Sequence, residues 1–437
     1  MFWIELIIVM LMIYWGTRKG GIFLALSGGI GMCIFTFGMG IKPSDPPITV
    51  MLIILAVIVA AASMEAAGGL EYMVRLAEKI LRKNPKQITI IAPVVAYIFT
   101  FLCGTGHIVY SLLPVMNGIA LENGIRPERP ISASIVSSQQ AITACPISAA
   151  TAALIGYLAV FENVNLTTIL IICVPATLIG TLAGAFSVYK RGKELEEDPE
   201  YLERVKEGLV KDYTSHETGK EPISKKAKLS VLLFFVAMLA IVFLGAFEGL
   251  RPVFADESAL PMTTVIQMFM LAVGALIVLF CKIDSNKVLD VSIFRSGMFA
   301  VVLAFGLCWL VNTFIGDQSS FISDNMSALT NRYPWVFILG VFVVGAITTS
   351  QASTTMIMVP IGIALNLPVY VIIAGWIACS SNYFIPASGQ CVAALAFDTA
   401  GTTKIGKYVL NHSYMLPGLV TTIVSVAVAF VIGMAIL

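Results

Sequence analysis

Long apolar runs separated by short polar corners alternate along this chain from one end to the other. Ile48 to Met64, Leu229 to Phe247, Val265 to Phe280 and Leu416 to Leu437 each come near the roughly 20 residues an α-helix needs to cross hydrocarbon. The pattern predicts helices over 2–16, 20–40, 48–69, 166–189, 229–248, 263–281, 298–314 and 413–437. Amphipathic basic stretches, Glu71 to Lys86 and Asp284 to Arg295, lie between them. The fold class expected is an all-α polytopic membrane protein.

Composition agrees. Of 437 residues, 58% are hydrophobic and 12% charged, against about a quarter charged in soluble domains, so the chain has too few charges to clothe a water-facing surface. The net charge of +1 supplies no field for nucleic acid. Eight cysteines stand singly inside apolar runs, without metal-ligand spacing, and are expected as small buried residues. The opening Met1-Phe2-Trp3-Ile4-Glu5 lacks the basic start of a signal peptide, so the first helix is expected to be retained. Lys and Arg concentrate on cytoplasmic loops. That rule places Thr17-Arg18-Lys19, the stretch Arg75 to Lys86 and the loop Lys190 to Lys228 inside, with Lys42 to Pro47 outside.

Four stretches break the apolar pattern at membrane depth. They are Cys103-Gly104-Thr105-Gly106-His107, Ser137-Ser138-Gln139-Gln140 running on to Ser148, Thr348-Thr349-Ser350-Gln351-Ala352-Ser353-Thr354-Thr355, and Ser380-Ser381-Asn382-Tyr383 running on to Gln390. The order repeats. Pro114 follows Gly104 as Pro360 follows Ser350, and the second and fourth stretches each open on Ser-Ser-amide and close on Pro-x-Ser, which predicts an internal duplication.

Small and hydroxyl residues in membranes also serve plain helix packing, but the repeated order and prolines favour interrupted helices. Irregular backbone facing lipid costs several kcal/mol per unpaired group, so it must be buried or line a polar cavity. Half-helix N-termini there would face an anion with free N–H groups. The sequence therefore predicts an inverted repeat with two re-entrant hairpins, 87–124 and 335–366, and two broken helices, 131–162 and 368–398, divided into a scaffold and a transport domain. The first repeat is expected over 1–189, with scaffold helices in 1–70 and hairpin and broken helix in 87–162; 190–228 is a polar cytoplasmic linker with one short surface helix; 229–437 is the second repeat.

The candidate anion-binding residues are Gly104, Thr105, Gly106, His107, Ser137, Ser138, Gln139, Thr143, Pro146, Ser148, Thr349, Ser350, Gln351, Ser353, Thr354, Ser381, Asn382, Tyr383, Pro386 and Ser388. His107 is either a hydrogen-bonded structural group or a pH-sensitive one. Glu78 and Arg82, four apart, would pair along a helix face. Arg126 and Arg129 sit where they would anchor the chain at the interface or attract an anion to the inner mouth, and Arg295, Asp398 and Lys404 also flank the interrupted spans. An enzyme would need a nucleophile with its base, paired carboxylates or a metal set. With three histidines (His107, His216, His412) and few acids at membrane depth, none is legible, leaving a regulator that uses the 190–228 loop as the rival class.

At these motifs the chain resembles the anaerobic C4-dicarboxylate transporter (Dcu) family. The likeness runs through Ala67-Gly68-Gly69-Leu70, Ala77-Glu78-Lys79 to Lys86, Cys103 to Tyr110, Ile125-Arg126-Pro127-Glu128-Arg129-Pro130, Phe294 to Met298, Tyr333-Pro334-Trp335, Asp398 to Gly406 and Asn411-His412. The resemblance implies carriage of fumarate, succinate, malate and aspartate by antiport or by Na⁺- or H⁺-coupled symport, with elevator-type alternating access in a bacterial inner membrane. It also implies a role in transport for Glu78, Arg82 and Arg126, a homodimer, no cofactor beyond Na⁺ as a coupling ion, and in some members a membrane histidine kinase partner. Where some members carry a lysine this chain has Gly345-Ala346-Ile347, and Pro386-Ala387-Ser388-Gly389-Gln390 replaces a Pro-Thr-Tyr-Pro type of stretch. Another small anion, or a cation exchanged for protons, is the alternative cargo on the same fold.

Overall fold

The computed structural model describes residues 1–19, 21–161, 164–210, 222–254, 259–318, 320–321, 332–386, 388–405 and 411–437. Gly20, Glu162, His216 with the rest of 211–221, and Ala387 lie outside them. Among the described residues, seven helices are long and apolar enough to cross a membrane. Their free faces carry large apolar side chains, such as Leu416, Ile423, Val431 and Met434 on the last. Only hydrocarbon tolerates such a surface, so the chain is a multi-pass membrane protein.

The first helix α1 (Phe2–Lys19) packs on α2 (Phe23–Cys33), which runs on through a wide turn, Ile34–Gly38. Helix α3 (Ile48–Ala66) is followed by α4 (Gly69–Lys83), where Met73, Val74, Ala77 and Leu81 are buried along one face while Lys79 and Arg82 stand outside it. A hairpin comes next, α5 (Ile88–Cys103) and α6 (Ile108–Glu122), then α7 (Glu128–Ile142) and α8 (Ala149–Leu158) separated by an unwound stretch. The unbroken helix α9 (Leu166–Ser187) closes this half.

After a surface helix, α10 (Pro199–Lys206), the second half opens with α11 (Lys225–Ala246) and α12 (Met262–Cys281). Helices α13 (Ser292–Leu303) and α14 (Trp309–Asp317) are joined by the wide turn Ala304–Cys308 into one rod. The rod begins six residues earlier than the expected 298, so the amphipathic stretch up to Arg295 is cut short. The cause lies in another helix: Glu65, at the end of α3, accepts from Ser292 Oγ at 2.7 Å and Ile293 N at 2.9 Å and so supplies the cap that starts α13.

The second hairpin, α15 (Trp335–Thr348) and α16 (Gln351–Ala364), leads into α17 (Val369–Trp376), a tighter stretch Ile377–Tyr383, a break, and α18 (Gly389–Phe397). Helix α19 (Met415–Ile436) ends the chain. The two interrupted helices run antiparallel, since Glu128 N at the start of α7 donates to Thr402 Oγ1 just past α18, at 2.9 Å. The packing is also reciprocal: α6 lies on α18 and α16 lies on α8, so each hairpin's second arm rests on the distal half-helix of the other half.

Helices α9 and α19 lie along each other at small residues. A Cβ on Gly184 would fall 2.0 Å from Thr421 Oγ1 and 2.9 Å from Pro417 O, backbone that cannot step aside. Gly184→Leu is therefore expected to cost about 1–3 kcal/mol by forcing the two helices apart. A melting temperature of the detergent-solubilised protein equal to wild type would contradict this packing.

Candidate functional site

The four polar interruptions expected at membrane depth meet at one cavity of about 340 Å³. Each arrives by a local structural reason. The first hairpin turns because α5 ends on Gly104 with φ +70°, a conformation that a Cβ disfavours. The second turns at Thr349, whose φ of +51° is unusual for a β-branched residue and marks backbone held in place by its surroundings. Helices α8, α16 and α18 each begin on a serine whose side chain accepts from the backbone three residues on: Ser148 from Thr151 N, Ser350 from Ser353 N and Ser388 from Cys391 N. His107 precedes α6.

Residues at the start of all four of these helices belong to the lining: His107 just ahead of α6 and Tyr110 in its first turn, Ala149 and Ala150 of α8, Ser350, Gln351 and Ala352 at α16, and Ser388, Gly389 and Gln390 at α18. Four helix N-termini thus face one space. The remaining wall is mostly apolar and comes from outside these elements, with Val57, Ile58 and Ala61 of α3 and Ile293, Gly297, Phe299 and Ala300 of α13, where Ser296 is the polar exception.

Gln139 in α7 ties the polar side together. Its backbone oxygen accepts from Gln351 Nε2 at 3.3 Å and from Ser380 Oγ at 3.4 Å. Its side-chain Nε2 donates to Gln390 Oε1 at 2.9 Å, and Gln390 Nε2 donates to Gly106 O at 2.8 Å. One chain of bonds therefore connects both hairpin tips and both interrupted helices. Among the described residues, Gln139 Oε1 and Asn382 Oδ1 are buried acceptors without a partner, which is uncommon in a folded interior.

Of the expected residues, Gly104, Thr105, Gly106, His107, Gln139, Thr349, Ser350, Gln351, Asn382 and Ser388 line the cavity. The others stand behind it. Ser138 Oγ shares a hydrogen bond with Thr100 Oγ1 on α5 at 2.7 Å, and Ser137 donates to Pro93 O. Ser381 donates to Phe342 O on α15 at 2.6 Å, the counterpart position doing the counterpart work on the other hairpin. Thr143 and Ser148 close the first break onto carbonyls of α7, and Pro146 sits between them. Ser353 and Thr354 are buried in the first turn of α16, Thr354 against Thr348 at 2.9 Å. Tyr383 meets Thr422 of α19 at 2.8 Å, and Pro386 is within the second break. Gln390 and Tyr110 line the cavity without having been expected; Gln390 directly follows the Pro-x-Ser-Gly stretch and could have been read from it.

The charged residues form a separate layer at the end of the bundle where α7 begins. Arg82 pairs with Glu78 at 2.9 Å and with Glu122, the last residue of α6, at 3.5 Å. Arg126 is buried between Glu128, 2.8 Å away, and Asp198 of the 190–210 stretch. Arg129 meets Glu194 at 2.9 Å, and Lys404 pairs with Glu200. That part of the expected linker is docked, with Leu195 and Asp198 buried. Burial pushes the Asp198 carboxyl up, but the hydrogen bond and charge of Arg126 and two backbone N–H groups outweigh it and hold the carboxyl below its ordinary range.

A polytopic helical protein whose interrupted helices gather neutral polar groups and helix N-termini round one cavity is a membrane transporter. The chain belongs to the family described as anaerobic C4-dicarboxylate membrane transporter, whose family model matches residues 1–437. It is 40% identical over 433 residues, 97% of each chain, to a protein of Escherichia coli O157:H7 named anaerobic C4-dicarboxylate transporter DcuB. It is 39% identical over 429 residues, 98% of each chain, to one of Wolinella succinogenes named C4-dicarboxylate transporter DcuA. In fold it is similar to the MtrF efflux pump of Neisseria gonorrhoeae, with a TM-score of 0.56 over 98% of this chain and 94% of that one at 16% identity. The YdaH transporter of Alcanivorax borkumensis gives a TM-score of 0.54 over 92% and 87% at 15% identity.

Proposed function

We propose that this protein carries C4-dicarboxylates such as fumarate, succinate, malate and aspartate across a bacterial inner membrane, binding them in the cavity between the two interrupted helices. The observation that carries the reading is the convergence of four helix N-termini on that cavity. Each terminus is worth roughly half a positive charge, so the four together amount to about two, the charge a C4-dicarboxylate presents at neutral pH. Neutral amides and hydroxyls complete the shell without a fixed cation that would hold the cargo too long. The names of the relatives and the family agree with this cargo.

The antiparallel interrupted helices and the reciprocal hairpin packing support an inverted repeat. The apolar wall from α3 and α13 supports a division in which a transport unit (hairpins, interrupted helices, α9 and α19) slides as an elevator past a scaffold of the remaining helices. Coupling is by exchange, or by Na⁺ or H⁺ symport, with the unpaired oxygens of Gln139 and Asn382 offered to the cation. The test is counterflow of radiolabelled fumarate into proteoliposomes preloaded with succinate, malate, aspartate or a monocarboxylate, with and without Na⁺. Accumulation driven by the dicarboxylates alone is expected. Equal counterflow with the monocarboxylate, or none with any, would overturn the proposal.

A further inference from the structure

His412, Ser413 and Tyr414 lie just ahead of α19, and none of them lines the cavity. All three are nevertheless buried, 2%, 1% and 0% exposed. His412 Nδ1 accepts from Tyr414 N at 3.2 Å, so this nitrogen carries no proton. The neutral ring then has its N–H at Nε2, which lies 3.1 Å from the carbonyl oxygen of Phe384 and donates to it. Phe384 is the first residue after the tight stretch Ile377–Tyr383, at the near edge of the second break. Tyr414 donates its hydroxyl to the carbonyl oxygen of Cys391 at 2.8 Å, in the first turn of α18 on the far edge. Two side chains two residues apart therefore grip both ends of one break.

The same short segment is fixed from behind. Ser413 Oγ donates to Glu128 Oε1 at 2.7 Å and accepts from Lys404 N at 2.9 Å. Arg191 donates to the carbonyl oxygens of Ser413 at 2.9 Å and His412 at 3.4 Å. The grip on the second break is thus rooted at the start of α7, the beginning of the first interrupted helix. Between the two gripped carbonyls lie Ser388 and Gln390, and Asn382 lies just before them; all three line the cavity. A binding site made of unwound backbone keeps its geometry to within about half an ångström only if the groups behind it are locked.

We infer that His412 and Tyr414 are positioning residues for solute binding: a staple across the second break that holds Asn382, Ser388 and Gln390 in register, with His412 acting through its neutral imidazole. The inference rests on the cavity being the dicarboxylate site. It is tested on the full-length protein in proteoliposomes, by the KM and maximal rate of succinate counterflow, with melting temperature followed on the same preparations. Tyr414→Phe, which removes one hydroxyl and keeps the ring, and His412→Ala are each expected to raise KM about tenfold, the loss of one buried hydrogen bond passed on to binding. His412→Gln, whose amide N–H reaches about as far as the imidazole Nε2, is expected to return KM to within about twofold of wild type, as restored donation to Phe384 requires. A merely structural role would lower the melting temperature and leave KM alone, and that result would overturn the staple. So would a His412→Gln protein as impaired in KM as His412→Ala. If His412→Ala does not fold, the KM of Tyr414→Phe decides. Gln139→Ala runs alongside: a raised KM there with an unchanged KM in Tyr414→Phe removes the staple alone, whereas unchanged KM in both removes the cavity as the binding site.

Discussion

Arg126→Ala is expected to destabilise the folded protein by about 3 kcal/mol, because it takes the cation from Asp198 and leaves Glu128 with only the more distant Arg191, 3.7 Å away, in a space built around a guanidinium. Arg126, Glu128 and Asp198 have side chains only 8%, 8% and 12% exposed, so solvent screens them little. What the arginine holds is also long-range, joining the start of α7 to a stretch some seventy residues on. The triple variant Arg126→Ala, Glu128→Gln, Asp198→Asn removes the stranded charges and is expected to recover most of the loss. Acid reports on the same link. Asp198 is held below its ordinary range in the folded protein, so its stabilisation is full at pH above the ordinary carboxylate value and is lost as pH falls through the depressed one. In Arg126→Ala the largest cause of that depression is gone, so the stability that Asp198 gives up on acidification should shrink and the variant and wild type should converge as pH falls. Melting temperature against pH, measured for the three proteins, checks both statements. A variant with native stability and no dicarboxylate exchange would instead place Arg126 on the anion's path and sink the structural account.

That outcome bears on how far the sequence could be read. The interruptions were legible because glycine, proline and hydroxyl clusters at membrane depth contradict a plain spanning helix: the helices expected to break within 131–162 and 368–398 do so, the first ending at Ile142 and resuming at Ala149, the second ending at Tyr383 and resuming at Gly389. The apolar wall was not, because Val57, Ile58 or Phe299 facing a cavity looks the same in sequence as one facing lipid. Nor was the docking of Leu195 and Asp198, since Asp198 is one acid among Glu194, Glu196, Glu197 and Glu200 and gains its meaning only from Arg126 across space. The early start of α13 depended likewise on Glu65 from a different helix. Periodicity reports local structure; it is silent on which distant group caps, pairs with or faces a residue.

Gln390→Glu should bring the largest loss of transport of any single isosteric change. The glutamine acts as acceptor and donor at once, receiving Gln139 Nε2 at 2.9 Å and giving its own Nε2–H to Gly106 O at 2.8 Å. A carboxylate keeps the first bond and cannot make the second, so the tip of the first hairpin loses its tie to the second interrupted helix. It also sets a negative charge among four helix N-termini that would otherwise be free for the solute, cancelling about half of their roughly two positive charges and repelling a dianion at close range. The combined effect is expected to exceed 100-fold in the KM for succinate. Gln390→Leu removes both bonds without adding charge and should cost about ten- to thirtyfold, so the gap between the two variants isolates the electrostatic part. The comparison is read from succinate counterflow in proteoliposomes, after matching melting temperatures to confirm folding. Equal KM values for the leucine and glutamate variants would mean that the solute carries no negative charge past this point, and the assignment of the cavity to a dicarboxylate would fall with it.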